Sequence, residues 1–96
     1  MSRRHYIVTY DISDDKRRDT VYRILLGNGD WAQFSVFFCE LTDRELVELR
    51  TRLRASIHMQ QDQILIVDLG RAARPLHLGL ECIGRGYEPT TRVVVI

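Results

Sequence analysis

The chain has 96 residues, of which 45% are hydrophobic and 28% charged, with a formal net charge of +1. That length fits one domain and excludes two, and the hydrophobic share excludes a disordered segment. The near-neutral balance supplies no global positive field of the kind that announces a nucleic-acid binder, and no run approaches the ~20 apolar residues of a membrane span.

Met1-Ser2-Arg3-Arg4-His5 leads straight into a strand-like pattern without the apolar core of a signal peptide, so the cytoplasm is the expected compartment. The first predicted element is the strand His5–Asp11, rich in β-branched and aromatic residues. Ser13 is placed to cap a helix whose first turn carries Asp14 and Asp15, the sign that the helix dipole favours. Val21, Ile24 and Leu25 follow at helical spacing. Gly27-Asn28-Gly29 should stop the helix, since these residues tolerate the left-handed backbone of a common helix end.

Trp31 through Leu41 reads as the second strand, unless so long a segment splits into a hairpin. Thr42-Asp43-Arg44-Glu45 is a capping box, and Leu46, Leu49, Leu53 and Ile57 behind it form one apolar stripe. Glu48 and Arg52 form an i,i+4 pair on the wet side of this second helix. Gln63–Leu69 is a third strand. Arg71–Leu80 is irregular around Pro75, and a short strand is expected at Glu81–Ile83. A turn over residues 84–89 and a terminal strand, Arg92 to Ile96, complete the chain. The order suits a single α+β domain over residues 1–96, a helix-backed antiparallel sheet of the ferredoxin-like kind.

Alternation puts Tyr6, Val8 and Tyr10 on one face of the first strand, and His5, Ile7, Thr9 and Asp11 on the other. If the first face packs on the helices, Asp11 lies at the rim of an open face carrying Ile7 and Phe37, too apolar to leave in water. The tail Val93-Val94-Val95-Ile96 has no charged residue after it, and such an edge invites pairing with another chain. A chain of this size buries only ~60–70% of its unfolded surface. Together these features predict a homodimer formed through the sheet.

Asp11 ends a strand just before a helix bearing Lys16, Arg17, Arg18 and Arg23. A carboxylate there can hold Mg²⁺, which needs only one or two protein carboxylates besides waters and phosphate oxygens. It can equally serve as an Asx-turn or cap residue. Thirteen of the fourteen basic residues are arginine, whose fork suits bidentate phosphate contact. The arginines of the second helix, Arg44, Arg50, Arg52 and Arg54, read as a solvated face or a phosphate-tracking ridge. Cys39 and Cys82 form no CxxC pattern and read as buried thiols. His5, His58 and His77 share no ligand spacing. No nucleophile elbow or phosphate-cradling glycine loop is present.

Tyr10-Asp11-Ile12-Ser13-Asp14-Asp15-Lys16-Arg17-Arg18 resembles the first-strand signature of the CRISPR-associated protein Two family, the small subunit of the spacer-acquisition machinery. Gln33-Phe34-Ser35-Val36-Phe37 is similar to that family's second-strand segment. Asp62–Leu69, Ile83-Gly84 and the valine-rich tail match in order and spacing. The resemblance implies a ferredoxin-like dimer whose terminal strand, about residues 91–96, completes the partner's sheet. It implies an Mg²⁺-dependent nuclease (an endoribonuclease or DNA endonuclease) with Asp11 as metal ligand and catalytic residue, and Tyr10 shaping the site. Lys16, Arg17, Arg18 and Arg23 would contact nucleic acid, either duplex DNA or single-stranded RNA. Two dimers of the larger CRISPR integrase subunit would flank the small dimer, which then bridges DNA and need not cut. A non-catalytic scaffold and a toxin-like mRNA interferase of the same fold are the other readings. Trp31 stands where relatives often have arginine and Thr20 where some have another basic residue, and both changes remove positive charge near the proposed site.

Overall fold

The computed structural model describes residues 2–87. Strand β1 (Arg4–Asp11) leads to helix α1 (Asp15–Leu26). Strands β2 (Gly29–Gln33) and β3 (Val36–Leu41) follow, then helix α2 (Asp43–Ser56) and strand β4 (Gln63–Arg71). The sheet is antiparallel in the order β2-β3-β1-β4, the β-α-β-β-α-β topology of a ferredoxin-like α+β fold. A single 3-10 turn, Leu76–Gly79, comes after β4.

The core is what alternation predicts on β1. Tyr6, Val8 and Tyr10 are buried against Val21, Ile24 and Leu25 of α1 and Leu46, Leu49 and Leu53 of α2. Phe37 is fully buried among them, edge-on to Tyr22 at 5.6 Å. This corrects the expected open-face position of Phe37. Its cross-strand partner is Val8, so both point at the helices, and the residue opposite Ile7 is Phe38.

The segment 31–41 is a hairpin, broken at Phe34-Ser35, and not one long strand. Phe34 makes the turn with a left-handed φ of 39°. At the start of α1 the cap is Asp14, not Ser13: its carboxylate accepts the Arg17 backbone N–H at 2.9 Å. A charged acceptor at this position also benefits from the helix dipole.

The helix stop differs from expectation in its cause. Gly27 caps α1 with φ −74°, an ordinary right-handed value. Gly29 instead opens β2 so close to β3 that a Cβ there would lie 2.5 Å from the Phe38 carbonyl oxygen. The Asn28 side-chain amide donates to the Ile24 carbonyl at 2.7 Å and satisfies a carbonyl left open at the helix end.

On α2 the capping box forms as read. The Glu45 N–H donates to the Thr42 hydroxyl, and the Thr42 N–H donates to the Glu45 carboxylate at 2.9 Å. Glu48 pairs back to Arg44 at 3.3 Å, in place of the expected Arg52. The expected strand at Glu81–Ile83 is irregular backbone, with Ile83 and Cys82 exposed and Gly84 turning the chain at φ 95°. Cys39 is buried as anticipated, whereas Cys82 is not. The predicted terminal strand, Arg92 to Ile96, and its pairing with a partner lie outside the described residues.

The sheet face away from the helices carries Ile7 opposite Phe38 and Val67, then Thr9 opposite Val36 and Leu65. The chain after β4 folds back over part of it. Tyr87 packs on Phe38 with ring centroids 5.8 Å apart, and the His5 ring nitrogen Nε2 lies 2.8 Å from the Arg74 carbonyl oxygen. The β4 side stays open, with Leu65 52% and Val67 46% exposed. Among the described residues no helix is long and apolar enough to cross a membrane.

Candidate functional site at the end of strand β1

Asp11 is the last residue of β1, opposite Gln63, the first residue of β4, and its side chain is exposed. Parity puts it on the open face with Ile7 and Thr9. Among the described residues no hydrogen bond or ion pair engages its carboxylate, and the following helix is capped by Asp14. The turn-and-cap role open to Asp11 in the sequence is therefore taken by another residue.

Tyr10 lies on the opposite side of the strand, buried against the helices and 6.4 Å from the Phe37 ring. Burial raises its hydroxyl pKa above the ordinary tyrosine value, Tyr22 adds to the rise, and Arg18 opposes it. At neutral pH Tyr10 is thus a neutral phenol. It can donate a hydrogen bond or form a wall, and it does not serve as a base.

The four basic residues of α1 fall into different environments. Arg18 folds over the loop that follows Asp11, donating to the carbonyls of Ile12 at 3.1 Å and Ser13 at 3.3 Å, and pairing with Asp15. Its side chain remains 44% exposed, and it lines a hollow with Tyr10, Tyr22, Phe34 and Ser35. Lys16 is exposed on the first turn. Arg23 is also exposed but pairs with Asp19 at 3.1 Å. It stands about 12 Å along the helix axis from Asp15, at 1.5 Å per residue.

Arg17 has a structural partner that sequence reasoning missed. Its guanidinium donates to Asp62 at 2.8 Å and 3.3 Å and to the Gln61 side chain at 3.2 Å. The Asp62 side chain is fully buried and also accepts the His58 backbone N–H at 2.8 Å. Hydrogen bonding from Arg17 is the largest cause holding the Asp62 carboxyl below its ordinary value, with the His58 N–H next and burial opposing. This pair ties the start of α1 to the loop that precedes β4. Since Gln63 faces Asp11, the pair braces both strands at the end where Asp11 sits.

One copy of the chain offers a metal a single unengaged carboxylate here. Among the described residues no group of three or more His, Cys, Asp or Glu side chains could hold an ion. A lone exposed carboxylate suits a hard cation such as Mg²⁺, which keeps several waters and takes only one or two protein carboxylates. It does not fit a metal that requires a closed protein cage.

The topology, the helix-backed core and the bare carboxylate at the end of the first strand define a small ferredoxin-like α+β protein built around one sheet with an open apolar face. Comparison with known proteins narrows this to a family. The profile described as CRISPR associated protein Cas2 matches residues 4–74, and the chain belongs to that family. A CRISPR-associated endoribonuclease Cas2 from Rhodospirillum rubrum is 35% identical over 91 residues, covering 95% of this chain and 88% of the relative. A CRISPR-associated endonuclease Cas2 from Thermus thermophilus is 36% identical over 96 residues, covering 100% and 99%. Among solved structures, a hypothetical protein from Thermus thermophilus superposes with a TM-score of 0.75 at 36% identity, covering 92% of this chain and 99% of the other. Streptococcus pyogenes Cas2 superposes with a TM-score of 0.71 at 29% identity, covering 83% and 99%.

Proposed function

We propose that the chain acts as a homodimeric, Mg²⁺-dependent endonuclease that hydrolyses phosphodiester bonds in RNA or DNA, with Asp11 of both copies as the metal ligands. The observation that carries this reading is the exposed and unengaged Asp11 carboxylate at the rim of an apolar sheet face. Covering that face with a second copy removes Leu65 and Val67 from water and brings two such carboxylates to one interface. The names of the relatives, endoribonuclease and endonuclease, support the nuclease part of this reading.

When bound, Mg²⁺ supplies Lewis-acid polarisation of the phosphoryl group and acidifies a water. The chain's own residues do the rest. Asp11 orients the charged centre of the site. Arg18, half exposed beside the same loop, keeps its Nε–H and one Nη2–H outside its bonds to Ile12, Ser13 and Asp15 and offers them to a phosphate oxygen. Tyr10 stays protonated and walls the helix-side hollow next to Arg18, across the strand from Asp11. Lys16 and Arg23 add positive charge along the exposed side of α1 for backbone contact, and Arg17 acts through its brace on Asp62.

A second reading has one observation in its favour. Arg17 and Arg18, the first arginines after Asp11 in sequence, are already paired with Asp62 and Asp15, which leaves less positive charge for a transition state. On that reading the dimer is a cytoplasmic DNA-bridging scaffold beside the larger CRISPR integrase subunit. Membership of the Cas2 family favours both readings over a free-standing toxin-like interferase.

Asp11→Ala separates them. The purified variant is expected to lose Mg²⁺-dependent cleavage of RNA and DNA while keeping duplex binding. Cleavage that survives the substitution overturns the catalytic assignment. Spacer integration in cells that survives it, with cleavage lost, makes the scaffold role the physiological one.

A further inference from the structure

Phe34 is 89% exposed, in a fold that buries Phe37 completely. It occupies the tip of the β2–β3 hairpin with φ 39°, a backbone conformation that an aromatic residue rarely adopts. The turn is nevertheless well tied. The Trp31 indole N–H donates to the Phe34 carbonyl at 2.8 Å, and the Tyr10 N–H donates to the Ser35 carbonyl at 3.2 Å, next to Asp11. A tied backbone thus presents a large apolar ring to solvent near the end of β1, where neither packing nor backbone preference favours it.

Phe34 is also the wall shared by two hollows. One, a shallow hollow of about 380 Å³, is completed by Tyr10, Arg18, Tyr22 and Ser35. The other is lined by Trp31, Gln33, Arg85 and Tyr87. Each hollow therefore combines aromatic surface with an arginine. A flat π-face beside a cation is the chemistry that receives an unpaired nucleobase and its phosphate, since every base stacks and every phosphate accepts a guanidinium fork.

We infer that Phe34 is a stacking platform for an unpaired nucleobase of single-stranded RNA or DNA, with Arg18 taking the adjoining phosphate. The inference deepens the nucleic-acid reading above and depends on it. It gives the strand end a way to select unpaired substrate that base-edge hydrogen bonding would not supply.

The test measures binding of the wild-type protein and of Phe34→Ala, Phe34→Leu and Phe34→Trp to a short single-stranded oligonucleotide, its abasic counterpart and a blunt duplex, without Mg²⁺. Phe34→Ala and Phe34→Leu should bind the single strand about 5- to 150-fold more weakly, the range for loss of one stacked base. Phe34→Trp should restore binding. The wild type should bind the abasic strand as weakly as Phe34→Ala does, and the salt slope should not change, because no phosphate contact is removed. Equal affinity of Phe34→Ala and wild type for the single strand overturns the platform but not the nuclease reading. So does a uniform loss on single strand, abasic strand and duplex accompanied by a smaller sedimentation coefficient, which makes Phe34 a contact between copies. Absence of nucleic-acid binding by the wild type overturns both.

Discussion

Gly27 and Gly29 sit two residues apart at the same helix end, and alanine at the two positions should change stability in opposite directions. At Gly27 a Cβ would meet only the Ile24 and Arg23 carbonyl oxygens, at 3.5 Å and 3.7 Å, and φ is −74°. These are ordinary contacts in an ordinary helical conformation. Gly27→Ala should therefore stabilise by about 0.4–1 kcal/mol, chiefly by restricting the unfolded chain. At Gly29 the same Cβ would lie 2.5 Å from both the Cys39 Sγ and the Phe38 carbonyl oxygen, and 3.1 Å from the Cys39 Cα. The sulfur belongs to a side chain, but the other two atoms are backbone of β3 and cannot move without displacing the ladder to β1. Overpacking of that kind costs about 1–3 kcal/mol. For a domain of this length each kcal/mol shifts the melting temperature by about 4–8 °C, so Gly29→Ala should lower Tm by about 4–24 °C. Thermal melts by circular dichroism at one fixed protein concentration test this, since association would make Tm concentration-dependent. Adding Cys39→Ala should recover only part of the loss, because the Phe38 carbonyl remains. A Gly29→Ala protein that melts at or above the wild type would refute the close-approach account.

Two further outcomes follow from the ion pair and the capping box. The Asp62 carboxyl is held below its ordinary value of 3.8, so its contribution is complete above that pH and disappears as pH falls through the lower folded-state value. In acid titrations monitored by far-UV circular dichroism, the stability advantage of wild type over Asp62→Asn should be constant near neutrality and disappear only as pH falls below 3.8, through the lowered folded-state value. An advantage unchanged into strong acid would show that charge at Asp62 is irrelevant. Thr42→Ala removes the hydroxyl that accepts the Glu45 N–H and should cost about 1 kcal/mol in chemical denaturation. Thr42→Ser should cost less than half of that.

Elements and their faces were legible in the sequence wherever a local signal decided them. The alternation Tyr6, Val8, Tyr10 named the buried face of β1, and Thr42 with Glu45 named the start of α2. What escaped was set by pairing at a distance. Phe34, Val36, Phe37 and Phe38 all favour a strand, but which of Phe37 and Phe38 enters the core depends on register with Val8 and Ile7, and a shift of one residue exchanges them. The hairpin break at Phe34-Ser35 has no glycine, proline or asparagine to announce it, because tertiary pairing of β2 with β3 overrides a weak local preference. The Arg17–Asp62 pair spans 45 residues of sequence and left no trace in local spacing. An aspartate just ahead of a strand reads as turn chemistry whether or not an arginine reaches it.

Asp11 illustrates how partner accounting can separate a site from a scaffold. The aspartates close to it in the sequence or the fold are engaged: Asp14 caps α1, Asp15 pairs with Arg18, Asp19 pairs with Arg23, and Asp62 holds Arg17. Each of these substitutions removes an interaction that the fold uses, so a loss of activity in any of them could be a loss of structure. Asp11 is exposed, and its carboxylate engages no hydrogen bond or ion pair among the described residues. Removing its carboxylate therefore deletes no contact of the fold and falls among the surface changes that leave stability nearly unchanged. Asp11→Ala should accordingly melt with the wild type at the same protein concentration, and a loss of cleavage in that variant is chemical in origin. If the variant instead melts well below the wild type, the carboxylate has a structural partner, and Asp11 returns to the same category as its neighbours.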